Sequence, residues 1–168
     1  ISPLYKHILY FSQYQYPRVY RNDQIFHKII LGAPVGDFKE YNKENFIFQC
    51  SRQGQTYQSF FVAQACIKYG VTGIFAGPLE NENSFLDYID NKNTFYLGQI
   101  STEEKNNYYK RARIVTQLQN NFNLVSLTAK EALSFGAGII CFPRGEWKDE
   151  LIQDKNAFFV QREEDFVY

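Results

Sequence analysis

Short apolar runs alternate with helix-like segments along the chain from residue 45 onward. Segment 56–69, for example, carries Phe60, Ala63 and Ile67 at helical spacing and ends at a glycine, as amphipathic helices do. The runs with the composition of buried strands are FIFQC, GIFAG, TFYLG, RIVTQL, IICF and FFV. This alternation predicts an α/β, Rossmann-like domain, in which about six parallel strands carry helices on both faces of the sheet.

The other predicted elements are shorter. Residues 101–111 begin with Ser-Thr-Glu-Glu, the pattern of a capping box, and predict a helix. Short helices are predicted at 85–89 and 147–152, and short strands at 7–12 and 28–32. These elements leave no long linker that would divide the alternating part of the chain into two domains.

The stretch NFNLVSLTAKEALSFGAGII, residues 121–140, predicts a loop, a helix and a buried strand in succession. The start of such a helix presents free backbone N–H groups and the positive end of the helix dipole, which together can bind a diphosphate. Glu131 follows further along the predicted helix. Its carboxylate can accept hydrogen bonds from a pair of neutral hydroxyls, such as those of a ribose.

The loop after the first regular strand carries Arg52 and Gly54. An arginine at this place can bind a diphosphate through two hydrogen bonds, and a glycine lets the backbone turn closely around it. The alternative is that Arg52 is a surface residue in a turn. Ligands of parallel sheets bind beyond the carboxyl ends of the strands. The loops of interest therefore follow Cys50, Ala76, Leu97, Leu118 and Phe142.

The composition and net charge of the chain favour some classes of function over others. The chain has 168 residues, of which 45% are hydrophobic and 21% charged, and its net charge is zero. These values favour a soluble globular domain and give no reason to expect binding to nucleic acid or to anionic lipid. Aromatic and basic residues at 14–21 could stack on single-stranded nucleic acid, but in a neutral chain a packed loop is the favoured interpretation. No apolar run is long enough to span a membrane.

Several kinds of site lack their sequence signature. No G-x-G-x-x-G follows the first strand, which argues against a nicotinamide-dependent oxidoreductase, and no residues have the spacing of metal ligands. Cys50, Cys66 and Cys141 have no C-x-x-C spacing and are interpreted as buried free thiols, which suits a reducing, cytoplasmic setting. The start at Ile1, without Met, is expected of a fragment of a longer protein.

The succession of motifs from about residue 28 resembles the C-terminal, donor-binding domain of the retaining GT-B glycosyltransferases of family 4 (group 1). That family has S-R-x-x-x-x-K-G after its first strand, and here Arg52 fits while Tyr57 replaces the lysine. Gly77 lies in the matching A-G-P turn, and Y-L-G-x-I-S ends near Ile100. In the family's E-x7-E motif, Glu131 fits the second glutamate, and Asn123 stands where the first belongs.

The resemblance implies roles for these residues. Arg52, together with the backbone of Ser126 and Leu127, would hold the donor diphosphate, and the Ile100 backbone would border the nucleobase. Glu131 would bind the ribose, and Asn123 would face the donor sugar. Asn123 also admits a simpler interpretation as a turn residue that caps the helix. No metal and no further cofactor is expected, because Arg52 and the helix N-terminus balance the charge of the leaving diphosphate.

The same resemblance implies a domain plan and an activity. Residues 1–36 would be the tail of a preceding domain and a hinge, and residues 37–168 the nucleotide-sugar-binding domain. The expected reaction is retaining hexosyl transfer from a UDP- or GDP-linked sugar to a sugar or glycan acceptor, bound mainly by a missing N-terminal domain. The chain alone would then be nearly inactive. The alternative is a catalytically degenerate relative that binds a glycan or a partner, which Tyr57 and Asn123 favour.

Overall fold

The computed structural model describes residues 40–80, 85–119, 127–143 and 151–161, and the backbone of two short strands near the N-terminus. These two strands, β1 (His7–Tyr10) and β2 (Ile25–Lys28), pair in parallel with each other. Of the strand predicted at 28–32, only Lys28 is described, and it is the last residue of β2; residues 29–32 lie outside the described part of the chain. The aromatic and basic stretch at 14–21 lies outside the described residues.

Six parallel strands form the main sheet, which confirms the predicted α/β, Rossmann-like architecture. The strands are β3 (Glu44–Cys50), β4 (Thr72–Ala76), β5 (Thr94–Tyr96), β6 (Ala112–Gln117), β7 (Gly138–Cys141) and β8 (Ala157–Phe159). Their spatial order is β5-β4-β3-β6-β7-β8. The direction in which the sheet grows therefore reverses between β3 and β6. In doubly wound sheets this switch point is where ligands bind.

Within the described residues, three α-helices connect strands of the main sheet: α1 (Ser59–Tyr69), α2 (Thr102–Arg111) and α3 (Leu127–Ser134). Helix α2 begins with the predicted capping box, in which the Ser101 and Glu104 side chains each bond the other's backbone N–H. The helix predicted at 85–89 is a single 3-10 turn, Leu86–Tyr88. Of the helix predicted at 147–152, only residues 151 and 152 are described, and they are not helical.

The two faces of the sheet carry separate hydrophobic clusters. On one face, Phe46 and Phe48 of β3 belong to one cluster with Tyr109 of α2 and the buried alanines of α3. On the other face, Val62 of α1 clusters with Phe75 of β4. Alternate residues of a strand point to opposite faces, so one apolar strand supplies side chains to both cores. Helices α2 and α3 therefore lie together on one face, and α1 lies on the other.

The ammonium group of Lys43 joins the C-terminal ends of α2 and α3. It donates hydrogen bonds to the carbonyl oxygens of Tyr109 (3.0 Å) and Phe135 (2.7 Å). Helix C-termini leave carbonyl groups without partners and carry partial negative charge, so one cation can stabilise both ends. This contact fixes the distance between the two helices at the end remote from the switch point.

All three cysteines are free, as predicted: Cys66 and Cys141 are buried and Cys50 is half-buried. Burial raises the pKa of the Cys66 and Cys141 thiols to about 12. Both thiols are therefore protonated at neutral pH and pack as small apolar side chains.

Candidate functional site

The loops at the carboxyl edge of the sheet are joined by backbone hydrogen bonds. Ser51 N donates to the carbonyl of Ala76 at 3.1 Å, and Gln53 N donates to the carbonyl of Pro78 at 2.7 Å. Gly77 N donates in turn to the carbonyl of Gly98 at 2.7 Å. The loops that follow β3, β4 and β5 therefore form one continuous rim beside the switch point.

Gly77 is the point at which two of these loops touch. Its φ is +123°, a conformation that side-chain-bearing residues rarely adopt. A Cβ atom at this position would overlap the carbonyl oxygen of Ser51. The glycine expected from the A-G-P turn is therefore required by backbone shape, whatever ligand the site takes.

Two buried glutamines hold the β3–α1 loop from beneath. The side-chain amide of Gln53 donates to the carbonyl oxygens of Ser51 and Ala76, both at 2.7 Å. The side-chain amide of Gln49 donates to the carbonyl of Tyr57 at 3.0 Å and to the Ser59 hydroxyl at 3.2 Å. Both glutamines are 0% exposed. These bonds cross-link both ends of the loop to the sheet, so its backbone is fixed without any ligand.

The far part of the same loop is held by Glu80. One carboxylate oxygen of Glu80 accepts a hydrogen bond from the backbone N–H of Thr56 at 2.9 Å. Gly54 lies directly beside this carboxylate, and a Cβ on Gly54 would come within 2.5 Å of it. Gly54 N also donates to the Ser59 hydroxyl at 3.1 Å. The predicted close turn at Gly54 is present, and Glu80 is the group that makes it close.

Gln58 stands where the resembled family's S-R-x-x-x-x-K-G pattern has its glycine, and its backbone is in a conformation that favours glycine. The residue precedes α1 with φ +53°, in the left-handed region, and its side chain is 2% exposed. A non-glycine residue is strained in this conformation. Helix α1 therefore begins at Ser59, three residues later than predicted, because the chain is still turning at Gln58. Tyr57, which replaces the family's lysine, is half-buried.

The predicted diphosphate ligand Arg52 is exposed on this rim. Within the parts of the chain that the structure describes, its guanidinium has no hydrogen bond and no ion pair. Its five N–H donors are thus available to a ligand at the carboxyl edge.

The opposite side of the switch point is formed by α2 and α3. Because β6 and β7 are parallel, α3 runs back across the sheet, and its first residue, Leu127, lies at the carboxyl edge. Leu127 is 48% exposed. Glu131, one turn further along, accepts a hydrogen bond from the Lys105 ammonium of α2 at 2.8 Å. The two side chains are 23% and 22% exposed, respectively, so the ion pair is partly shielded from water.

Tyr109 and Cys50 lie beneath this ion pair. The Tyr109 ring is 0% exposed, and the Lys105 ammonium is 5.9 Å from its centroid. Burial raises the pKa of the Tyr109 phenol, and negative charge on Cys50 and Glu131 raises it further. Burial also raises the pKa of the Cys50 thiol, while the Lys105 ammonium acts in the opposite direction. Tyr109 also packs edge-on against Phe48 of β3, with ring centroids 5.5 Å apart, so the Lys105–Glu131 pair lies over β3 beside the switch point.

The remaining predicted site residues are Ile100, Asn123 and Ser126. Ile100 is half-buried and packs against the core of the α2–α3 face, which leaves its backbone near the rim. Asn123 and Ser126 lie outside the described residues. Among the described side chains, no three His, Cys, Asp or Glu residues gather to hold a metal ion. None of the described helices has both the length and the apolar character to cross a membrane.

Sequence reasoning missed three residues that shape this site: Gln49, Gln53 and Lys105. Gln49 interrupts the apolar run of β3 and would have been a candidate as a polar residue on a predicted buried strand. Lys105 lies four residues before Tyr109 on the predicted helix, so the two share a helix face. That spacing becomes a usable signal only once Tyr109 is known to be buried.

Comparison with known proteins finds similar folds at low sequence identity. No protein-family model and no curated protein sequence matches the chain. Among solved structures, a Staphylococcus aureus TarM mutant in complex with fondaparinux, α-GlcNAc-glycerol and UDP covers 96% of the chain, with a TM-score of 0.73 and 15% identity. Sucrose-phosphate synthase from Thermosynechococcus elongatus covers 96%, with a TM-score of 0.73 and 14% identity.

The pneumococcal O-GlcNAc transferase GtfA, in complex with UDP and GlcNAc, also covers 96% of the chain, with a TM-score of 0.72 and 14% identity. The chain spans only 35%, 47% and 36% of the TarM, synthase and GtfA chains, respectively. These similarities show that the Rossmann-like sheet has the fold found in GT-B glycosyltransferases. At this level of identity they do not assign an activity.

Proposed function

We propose that this chain is the nucleotide-sugar-binding part of a retaining glycosyltransferase. In this proposal the enzyme transfers a hexose from a UDP- or GDP-linked donor to a sugar or glycan acceptor. The observation that carries the proposal is the pair of groups at the switch point: on one side the guanidinium of Arg52, which is unpaired within the described part of the chain, and on the other the carboxylate of Glu131. A nucleoside diphosphate needs a cation for its phosphates and an acceptor for its ribose hydroxyls.

Transfer requires stabilisation of the negative charge that develops on the leaving diphosphate. Arg52 supplies a full positive charge, and the N-terminal end of α3 supplies backbone N–H groups and the positive end of its dipole. The β3–α1 loop holds Arg52 on a backbone that is already fixed by Gln49 and Gln53. Little reorganisation is then needed when the donor binds.

Solved structures with a similar fold also support this proposal. TarM and GtfA were solved with UDP, and both have a sheet of the same kind. Within the proposal, Asn123 faces the donor sugar, Ser126 joins Leu127 at the diphosphate, and Ile100 borders the base. The acceptor binds mainly to a preceding domain, for which residues 1–36 would be the tail and hinge. A cytoplasmic setting and the absence of any further cofactor belong to the same proposal.

Calorimetric titration with UDP and with GDP tests the binding step. We expect one of the two nucleotides to bind, and Arg52→Ala to weaken its binding about tenfold or more, as the loss of charged hydrogen bonds predicts. Arg113→Ala is the matched control, since Arg113 is an exposed arginine on β6. Absence of binding by either nucleotide at millimolar concentration would overturn the proposal.

A second function is favoured by one observation. The half-buried Tyr57 occupies the position of the family's lysine, so the phosphate side of the site has one cation fewer. A relative that has lost turnover and binds a glycan or a partner protein would tolerate this change. The discriminating measurement is the release of UDP or GDP from a donor sugar by a protein that also carries the proposed preceding domain. Tight nucleotide binding with no release in the presence of acceptor would favour the binding module.

A further inference from the structure

We propose that Lys105 is a positioning residue for Glu131, and that the ion pair gives the site its preference for ribonucleotides over 2′-deoxyribonucleotides. The inference rests on the proposed function, because it concerns the ribose side of the nucleotide site. Its direct evidence is the 2.8 Å hydrogen bond from the Lys105 ammonium to one carboxylate oxygen of Glu131.

The Glu131 carboxylate can accept hydrogen bonds from Lys105 and from a ribose at the same time. An ionised carboxylate has two oxygens and about four acceptor positions. Lys105 occupies one of these positions on Oε2, and Oε1 takes no hydrogen bond from Lys105. The 2′- and 3′-hydroxyls of a ribose can then donate to the positions that remain. Lys105 therefore does not compete with the ribose for Glu131, and it fixes the direction in which the carboxylate points.

A glutamate side chain without a partner would have to be ordered when the nucleotide binds. Ordering a long side chain costs about 0.5–1.5 kcal/mol in rotamer freedom, and a carboxylate that is already fixed avoids this cost. The pair is suited to this role because both side chains are about three-quarters shielded, at 22% and 23% exposure. Exposed ion pairs, by contrast, are weakened by solvent and seldom hold a fixed geometry.

The two helices that carry the pair are themselves fixed relative to each other. Tyr109, one turn along α2 from Lys105, is buried and stacks on Phe135 at the end of α3, with ring centroids 6.3 Å apart. Lys43 binds the carbonyl oxygens of the same two residues. The positions of Lys105 and Glu131 therefore follow from the packing of α2 against α3, and binding of a ligand is not needed to assemble the pair.

The test is calorimetric titration of the whole 168-residue chain with UDP and 2′-deoxy-UDP, or with the guanosine pair if GDP is the nucleotide that binds. We expect the unaltered chain to prefer the ribonucleotide by about tenfold, the value of one charged hydrogen bond. Lys105→Met keeps the length and the apolar stem of the side chain but removes its charge. It should weaken binding of the ribonucleotide about tenfold, and that of the deoxyribonucleotide, which keeps only the 3′-hydroxyl, by a smaller factor.

Two further variants sharpen the test. Glu131→Gln should reduce the ribose preference in the same way, and the double variant should be no weaker than the worse single variant, because both act through one interaction. Lys110→Met is the matched control on the same helix. The Lys110 ammonium lies over the Phe135 ring, away from Glu131, so this variant should leave both affinities unchanged. Urea denaturation of each variant checks that the fold is intact.

The possible results distinguish a failure of this inference from a failure of the proposed function. If Lys105→Met weakens both nucleotides equally, Lys105 acts on the phosphates and the positioning role is wrong. If it changes neither affinity, the pair only joins two helices, and the inference is also wrong. If the unaltered chain binds no nucleotide at all, the proposed function fails first and the inference fails with it.

Discussion

The two sides of the switch point are built in different ways. On the β3–α1 side, buried amides and backbone contacts hold the loop: Gln49 and Gln53 are 0% exposed and donate to backbone carbonyls. On the α2–α3 side, a partly exposed ion pair, Lys105–Glu131, stands at the rim. On the first side the two glutamines that hold the loop are neutral and buried, and the charged Arg52 is exposed on that loop. The second side is charged and contributes groups that a ligand can contact directly.

This difference explains how one cation of the resembled family can be absent while the loop keeps its form. The loop backbone is held by Gln53, Gly77 and the carbonyl of Tyr57, and none of these contacts uses the side chain at position 57. Substitutions of the buried residues that hold the loop on the first side should therefore change stability most. Substitutions on the second side should change ligand binding most.

The largest expected effect is that of Gly77→Ala. The new methyl group would overlap the Ser51 carbonyl, and φ +123° is unfavourable for alanine. We expect the free energy of unfolding to fall by roughly 3 kcal/mol or more, or folding to fail. Gly70→Ala is the control: Gly70 also has a positive φ, +63°, but no atom lies within 4 Å of the added Cβ. We expect Gly70→Ala to lower the free energy of unfolding, measured by urea denaturation, by about 1 kcal/mol. Equal losses for the two variants would contradict the role of the Gly77–Ser51 contact.

The next effect is that of Gln53→Glu, which keeps the side-chain shape but replaces a donor with an acceptor. The carboxylate would face the carbonyl oxygens of Ser51 and Ala76, which now accept hydrogen bonds at 2.7 Å. Leaving these buried groups unpaired should lower the free energy of unfolding by about 3 kcal/mol. Gln55→Glu, on an exposed residue of the same loop, should change it by less than about 0.5 kcal/mol. A tolerated Gln53→Glu would show that the loop does not need this amide.

The third prediction concerns the charged side. Glu131→Ala should weaken binding of the preferred nucleotide by roughly 1.5–3 kcal/mol, as expected for a lost charged hydrogen bond. The free energy of unfolding should change by less than about 1 kcal/mol, because the ion pair is partly exposed. Calorimetry and urea denaturation of the same preparation give both quantities. A large loss of stability with unchanged nucleotide affinity would contradict the expectation that the α2–α3 side mainly affects ligand binding.

The smallest effect is expected for Gln58→Gly. Glycine removes the strain of the left-handed conformation at φ +53°, worth about 1 kcal/mol, but also removes buried side-chain carbon atoms of similar value. The free energy of unfolding should therefore change by less than about 1 kcal/mol. Gln58→Val should cost roughly 2 kcal/mol, because a β-branched residue is least suited to this conformation. Thermal denaturation of the two variants in parallel would detect the difference.

Local patterns in the sequence were sufficient for most of the fold. The capping box at Ser101 and Glu104 fixed the start of α2, and the apolar run that ends at Cys50 placed β3. They were less reliable where geometry is decided by a single backbone conformation, as at Gln58, which delays the start of α1. They also did not indicate that β2 begins at Ile25, because a four-residue strand is defined by its pairing and not by its composition.

The sequence by itself determined the alternation of strands and helices, the glycines of the loops, and the position of Arg52 and Glu131 after their strands. These features follow from local spacing and from the rule that ligands bind at the carboxyl ends of parallel strands. Only the tertiary structure decided that Lys105 pairs with Glu131 and that Gln53 reaches the carbonyl of Ala76. Each of these contacts joins residues more than twenty positions apart. Such a contact depends on the order of strands in the sheet, and that order places both partners at one edge.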